Sequence, residues 1–126
     1  MAAEPIPADL REFILGYIDS IAQLEALLLL RHDPYKTWDA DSVAGRLYIS
    51  AREASELLKR LADDGFLIVS EACYRFSVQS AEQRQMVDRL ADAYSHHLIA
   101  VTNMIHSKPR RIREFSDAFR FRRDRS

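Results

Sequence analysis

Between Asp41 and Val78 nearly every residue has a place in one local pattern, and that pattern leaves few folds open. Val43, Ala44 and Leu47 fall on one face at helical spacing, and Ile49 follows as the plug of a tight turn. Ser50 and Glu53 have capping-box spacing: the hydroxyl accepts from the third helical N–H and the carboxylate reaches back. Ala54, Leu57, Leu58 and Leu61 are the apolar stripe of the helix so begun. Gly65 is placed to take the left-handed position that ends it. From there the chemistry is that of strands, in Phe66 to Ser70 and Tyr74 to Val78, joined by Glu71-Ala72-Cys73. The segment therefore predicts a helix, a turn, a second helix and a β-hairpin. A second helix held out from a compact core has the shape that enters a DNA major groove.

The flanking sequence reads as helix on both sides. Leu10, Phe13, Ile14 and Tyr17 give a first helix from Ala8 to Ile18. Ser20 and Gln23 suggest another capping box, opening a helix lined by Ile21, Leu24, Leu27 and Leu28 that Asp33-Pro34 stops. Thr37-Trp38 reads as a short extended segment, and Asp39 as the cap of the helix that ends near Tyr48. Ser80 and Gln83 give a third capping box. From Ala81 to His106 about 26 residues follow without Gly or Pro, roughly 39 Å of helix. Val87, Leu90, Tyr94, Val101 and Met104 keep a three-four repeat along it, interrupted at His97. Pro109 stops it, and Ile112, Phe115, Ala118 and Phe119 suggest a short amphipathic helix in the tail. With 126 residues, 48% of them apolar, the chain is expected to be one domain, 1–126. Its parts are N-terminal helices and a short strand over 8–38, the two-helix and hairpin unit over 39–78, a long helix over 80–107 and a basic tail over 108–126.

The order of elements resembles the winged helix-turn-helix transcriptional regulators of the MarR-like type, most closely from Asp39 to Val78. The residues that carry the likeness are Val43-Ala44, Leu47, Ile49-Ser50, Leu57-Leu58, Leu61 and Gly65-Phe66-Leu67. The resemblance implies a mainly α fold with a small β-hairpin, a homodimer built from terminal helices, and one recognition helix per DNA half-site. Three features depart from the family. The wing is very short, its tip Ser70-Glu71-Ala72-Cys73 carries an acid where such proteins often carry Arg or Lys, and the helix from Ala51 to Asp64 has three bases against four acids.

Candidate DNA contacts follow from the outward face of that helix: Arg52, Ser55, Glu56, Lys59 and Asp63, with Ser50 and Arg60 beside it. Arg pairs with guanine, and Ser hydrogen-bonds to several bases. The competing reading is that Arg52, Glu56, Lys59 and Arg60 pair with one another at three- and four-residue spacing on a merely solvated face. Arg75 on the second strand is equally a phosphate contact or an ordinary strand residue; Lys36 and Arg46 are weaker backbone candidates. Trp38 and Tyr48 read as core and turn packing rather than base stacking. For the dimer interface the candidates are Phe13 and Tyr17 with Val87, Leu90, Tyr94, Val101 and Met104, because a lone helical arm could not cover so many apolar side chains.

Other chemistries find little footing. His96 and His97 are adjacent and point about 100° apart, and His32 and His106 stand alone, so no metal site is expected. Cys73, the single cysteine, excludes an internal disulfide and reads as an incidental thiol. There is no nucleophile elbow, no phosphate-cradling glycine loop and no recognisable carboxylate pair, so neither an enzyme nor a cofactor is expected. No run of 18 apolar residues occurs, so no membrane span is expected. Met1-Ala2-Ala3-Glu4-Pro5 lacks the basic and apolar regions of a secretion signal, and the expected location is cytoplasmic.

A net charge of −1 conceals an asymmetry. From Lys108 to Ser126 there are eight Lys/Arg and three Asp/Glu, a surplus of five positive charges; the ten bases and sixteen acids that remain leave the body six negative. Duplex DNA is bound largely through phosphate neutralisation, so the body alone is awkward for that task. Three readings of the tail compete: a DNA arm, a partner-docking helix and a segment that folds back on the acidic body. Ile112, Phe115 and Phe119 need an apolar surface, which favours docking on protein, either its own or a partner's. The function expected is a dimeric, sequence-selective regulator of transcription that binds double-stranded DNA. The alternative is a protein-interaction adaptor on the same fold that does not bind DNA.

Overall fold

The computed structural model describes residues 6–108. Within them the chain runs α1 (Ala8–Tyr17), α2 (Ile21–His32), α3 (Ala40–Leu47), α4 (Ala51–Asp63), β1 (Leu67–Ser70), β2 (Cys73–Phe76), α5 (Ala81–His96) and α6 (Leu98–His106). It is mainly helical with one small antiparallel hairpin. The basic tail and its docking residues Ile112, Phe115 and Phe119 lie outside the described residues.

Local capping chemistry sets most of the helix starts. Ser20, Ser50 and Ser80 each accept a hydrogen bond from the N–H three residues on, at Gln23, Glu53 and Gln83. None of the three expected capping boxes is reciprocal among the described residues: at α4 only the Ser50 half forms, and at α2 and α5 the glutamine turns elsewhere. Gln23 bridges the α1–α2 turn, its amide donating to the Tyr17 carbonyl (3.0 Å) and its oxygen accepting from the Asp19 N–H (2.7 Å). Gln83 donates to the Asp64 carbonyl (3.1 Å), one of the open acceptors at the end of α4, and so ties α5 to α4. A reciprocal box occurs instead at α3, where Ser42 N–H donates to Asp39 and Asp39 N–H donates to Ser42 Oγ. Gly65, at φ +92°, ends α4 as expected. Phe66 N–H reaches the Leu61 carbonyl and Gly65 N–H the Ala62 carbonyl, the two bonds of a Schellman closure.

α2 runs through the centre, burying Leu24, Ala26, Leu27 and Leu30. α3 and α4 pack on it with Val43, Ala44, Ala54, Leu57, Leu58 and Leu61. The hairpin pairs Leu67 with Phe76 and Val69 with Tyr74. On the other side of β2, Trp38 and Tyr74 exchange both backbone hydrogen bonds (2.8 and 2.7 Å), so the extended Thr37-Trp38 segment adds to the sheet. Phe13, Tyr17 and Phe66 form a ring cluster with centroids 5.2 to 5.9 Å apart.

The C-terminal helix is not continuous. It breaks at His97 (φ −133°, ψ 51°), whose N–H closes α5 on the Ala93 carbonyl and whose own carbonyl opens α6 by accepting from Val101. The bend lets both halves lie on α1, where a straight rod would overshoot the core. Val87, Leu90 and Val101 are each 0% exposed and Phe13 is buried, all within their own chain. Tyr17, Tyr94 and Met104 are partly buried against the same core. Much of the apolar excess that suggested pairing with a copy is thus covered by α1 and its neighbours: Phe13, Val87, Leu90 and Val101 are packed within their own chain, while Tyr17, Tyr94 and Met104 keep part of their surface exposed.

Polar cross-links fix α5 on the N-terminal helices. Arg89 grips Asp9 with both terminal nitrogens at 2.8 Å, Arg31 meets Asp88 at 2.9 Å, and the Tyr94 hydroxyl donates to Glu25 at 2.9 Å. Burial, and then that hydrogen bond, push the Tyr94 phenol up to about 12. At the far end Lys108, 6% exposed, donates to the Ile18 carbonyl (3.2 Å) and to Asp19 (2.9 Å), while Arg60 reaches the other Asp19 oxygen at 3.2 Å.

Two tests follow from these cross-links. Asp19→Ala leaves a buried ammonium without its counter-charge and should destabilise by about 3 kcal/mol in urea unfolding, whereas Lys108→Met, which removes the charge, should cost clearly less. The Asp9 carboxyl is held at about 2 by the Arg89 hydrogen bonds, below its ordinary 3.8. Because the folded value is the lower one, the contact stabilises above pH 3.8 and that stabilisation is lost as pH falls towards 2. Carboxyl NMR titration should show this low midpoint, and Arg89→Ala should return it to the ordinary range.

Candidate nucleic-acid interface

α4 presents two contrasting faces. Its apolar stripe lies against α2 and α3, and the opposite side is open to solvent along its length. Arg52, Glu56, Lys59 and Asp63 stand exposed there, Ser55 is half-buried at the margin, and the Ser50 hydroxyl is engaged in capping. Arg52 Nε lies 3.6 Å from Glu56, with the Arg52 side chain 90% exposed, a solvated pair of the kind worth little. Arg60 departs from the expected contact set. It turns towards the α1–α2 turn and pairs with Asp19, so it belongs to the framework and not to the open face. With Glu53 included, that face carries two bases and three acids.

The hairpin stands beside α4. Leu67, Val69, Tyr74 and Phe76 share its inner side; Ile68, Ser70, Cys73 and Arg75 share the outer. Arg75 and Cys73 are half-buried, and Ile68 and Val69 are exposed at 40% and 52%. The two-residue tip has Glu71 at φ 53° and Ala72 at φ 64°. Positive φ at both central positions is the turn that matches strand twist, ordinarily built from Asn and Gly.

A third group comes from the approach to α3 and the turn after it. The Lys36 ammonium lies 4.0 Å from the centroid of the Trp38 ring and the Arg46 guanidinium 5.6 Å from it. Trp38 is buried, as expected, and its indole Nε1 has no hydrogen-bond partner among the described residues. Tyr48 reverses the expectation of turn packing. It is 94% exposed and sits in the left-handed region at φ 59°. The turn conformation is set by the junction of two helices, and no periodicity records where a side chain in such a turn will point. Lys36 and Arg46 were legible as bases, but the ring that holds them together is a tertiary feature. Asp39, beside them, is held below its ordinary value by the Ser42 N–H and hydroxyl.

Among the described residues no group of three or more His, Cys, Asp or Glu could hold a metal ion. No single helix among them is long and apolar enough to cross a membrane; α1 with α2 passes only as a pair bent by 105°. No protein-family model matches the chain, and neither a curated protein nor a solved structure matches it.

The hairpin tip offers a direct check of its geometry. Ala72→Gly removes the penalty of a Cβ at positive φ and should raise stability by about 1 kcal/mol, read as a higher denaturation midpoint with an unchanged m-value.

Proposed function

We propose that the chain is a dimeric, sequence-selective DNA-binding regulator of the winged helix-turn-helix kind, with α4 as its reading helix and the hairpin as a short wing. The observation that carries this reading is the placement of α4. Its four buried side chains anchor it on α2 and α3, while Arg52, Ser55, Glu56 and Lys59 line the side away from that core, next to a hairpin that carries Arg75. A helix so mounted fits a major groove with its N-terminal residues towards base edges. In such a complex the Arg52–Glu56 pair would open, and Glu56 would accept from a cytosine amino group. The second copy needs a surface other than the buried residues of α5 and α6. Leu98 and Ile99, 51% and 73% exposed at the start of α6, supply adjoining apolar side chains for it.

One observation favours a different reading. The acid excess on the open face of α4 repels phosphate, and this suits an adaptor that uses the same helix to bind a protein.

Selection from a random-sequence duplex pool, followed by polarisation binding over a salt series, separates the two. The regulator should enrich a two-fold-related site. Arg52→Ala should cost about 1–3 kcal/mol and relax preference at one position; Lys59→Ala or Arg75→Ala should weaken all sequences and lower the salt slope by about 1. An absence of duplex binding at low salt would sink the regulator and favour the adaptor.

A further inference from the structure

Tyr48 is an anomaly of the fold. Its φ of 59° is a region that disfavours any residue with a Cβ, and its side chain, 94% exposed, gains no packing in return. Glycine would serve the turn better. Strain that brings no packing in return directs attention to what the side chain does.

What adjoins Tyr48 along the chain narrows that use. Two residues before it is Arg46, which shares the Trp38 ring with Lys36; four residues after it is Arg52 at the head of α4. Neither Lys36 nor Arg46 has a carboxylate partner among the described residues, although Asp33, Asp39 and Asp41 adjoin them in sequence. Lys59 and Arg75 share that lack, but Lys36 and Arg46, unlike those two, lie over an aromatic ring. Cations held on an aromatic ring keep their hydrogen-bond donors free. Two such cations and a projecting phenol, along the chain leading into α4, match the donors that grip successive phosphodiesters.

We propose that Tyr48, with Lys36 and Arg46 held on Trp38, is a sequence-independent anchor for the duplex backbone beside α4. The proposal rests on the reading of α4 as a DNA-binding helix and adds to it the positions that supply affinity without base preference. It also answers the charge difficulty, because α4 is left to read bases while the phosphates are met elsewhere.

The test uses fluorescein-labelled random-sequence duplex, the full chain, and the variants Tyr48→Gly and Lys36→Gln/Arg46→Gln. Tyr48→Gly should melt at a higher temperature than the parent yet bind about tenfold more weakly to all sequences. The double variant should keep its fold by circular dichroism and lose about 1.8 from the slope of log affinity against log salt, the value for two phosphates. If the parent binds duplex while Tyr48→Gly keeps full affinity, or the double variant keeps the parent slope, the anchor is refuted and the reading of α4 stands. If the parent binds no duplex at low salt, the reading of α4 itself fails, and the anchor with it.

Discussion

The Asp19 carboxylate, set between two cations, ties the α1–α2 turn at once to α4 and to the residue just beyond α6. One oxygen takes the buried Lys108 ammonium, from just beyond α6; the other takes Arg60 on α4. The backbone of the same turn is closed by Gln23, itself 2% exposed, and by Lys108 on the Ile18 carbonyl. A buried ammonium is costly unless its charge and its protons are both answered, and here the Asp19 carboxylate and the Ile18 carbonyl, both of the α1–α2 turn, answer them. The position of α4 relative to α1 and α2 therefore depends on an electrostatic contact as well as on Leu57, Leu58 and Leu61. The open face of α4 is defined by what this junction removes from it, since Arg60 is spent there.

Legibility in the sequence followed the range of the interaction. The starts of α2, α3, α4 and α5, the Gly65 closure and the hairpin are decided within a few residues, and their signals stand in the sequence as caps, stripes and turn residues. The long C-terminal helix misled because nothing local breaks it. Its one trace is His97, where the apolar repeat falters, and the bend itself comes from the need to bury Val87 and Leu90 on one side of it and Val101 and Ile105 on the other. The same cause explains why Phe13, Val87, Leu90 and Val101, expected at a dimer interface, are buried within their own chain: a stripe records that a helix has an apolar partner, not whose helix that partner is. Arg60 and Gln83 take partners that their own helical turns do not reveal. Each reaches beyond its own turn, to Asp19 and to the Asp64 carbonyl.

Charge is the constraint that any function must meet. The described helices neutralise much of their own basic content through Arg31, Arg52, Arg60, Arg89 and Lys108. Among the described residues acids outnumber bases, so this part of the surface is poorly suited to steer itself to DNA. Under the proposed reading, affinity on such a body would have to come from a few well-placed donors, and specificity from a helix whose acids oppose loose, non-specific association. An acidic face on α4 would be a handicap for binding any duplex, but it would penalise wrong sequences as well as right ones, so the ratio between them would stay large.

The left-handed residues sharpen the distinction between what folding requires and what it does not. Glu71 and Ala72 are held at positive φ by the hairpin register, which leaves two residues to reverse the chain between Ser70 and Cys73. Their strain is offset by the backbone ladder on either side, and their side chains need have no role of their own. Tyr48 has a comparable backbone demand, since its N–H closes on the Ala44 carbonyl and Ile49 must turn inward behind it. That demand specifies a conformation that glycine meets at least cost, and it says nothing in favour of a large ring left in solvent. The fold therefore accounts for the φ angle of Tyr48 and not for its side chain, whose reason has to be sought in something the chain touches.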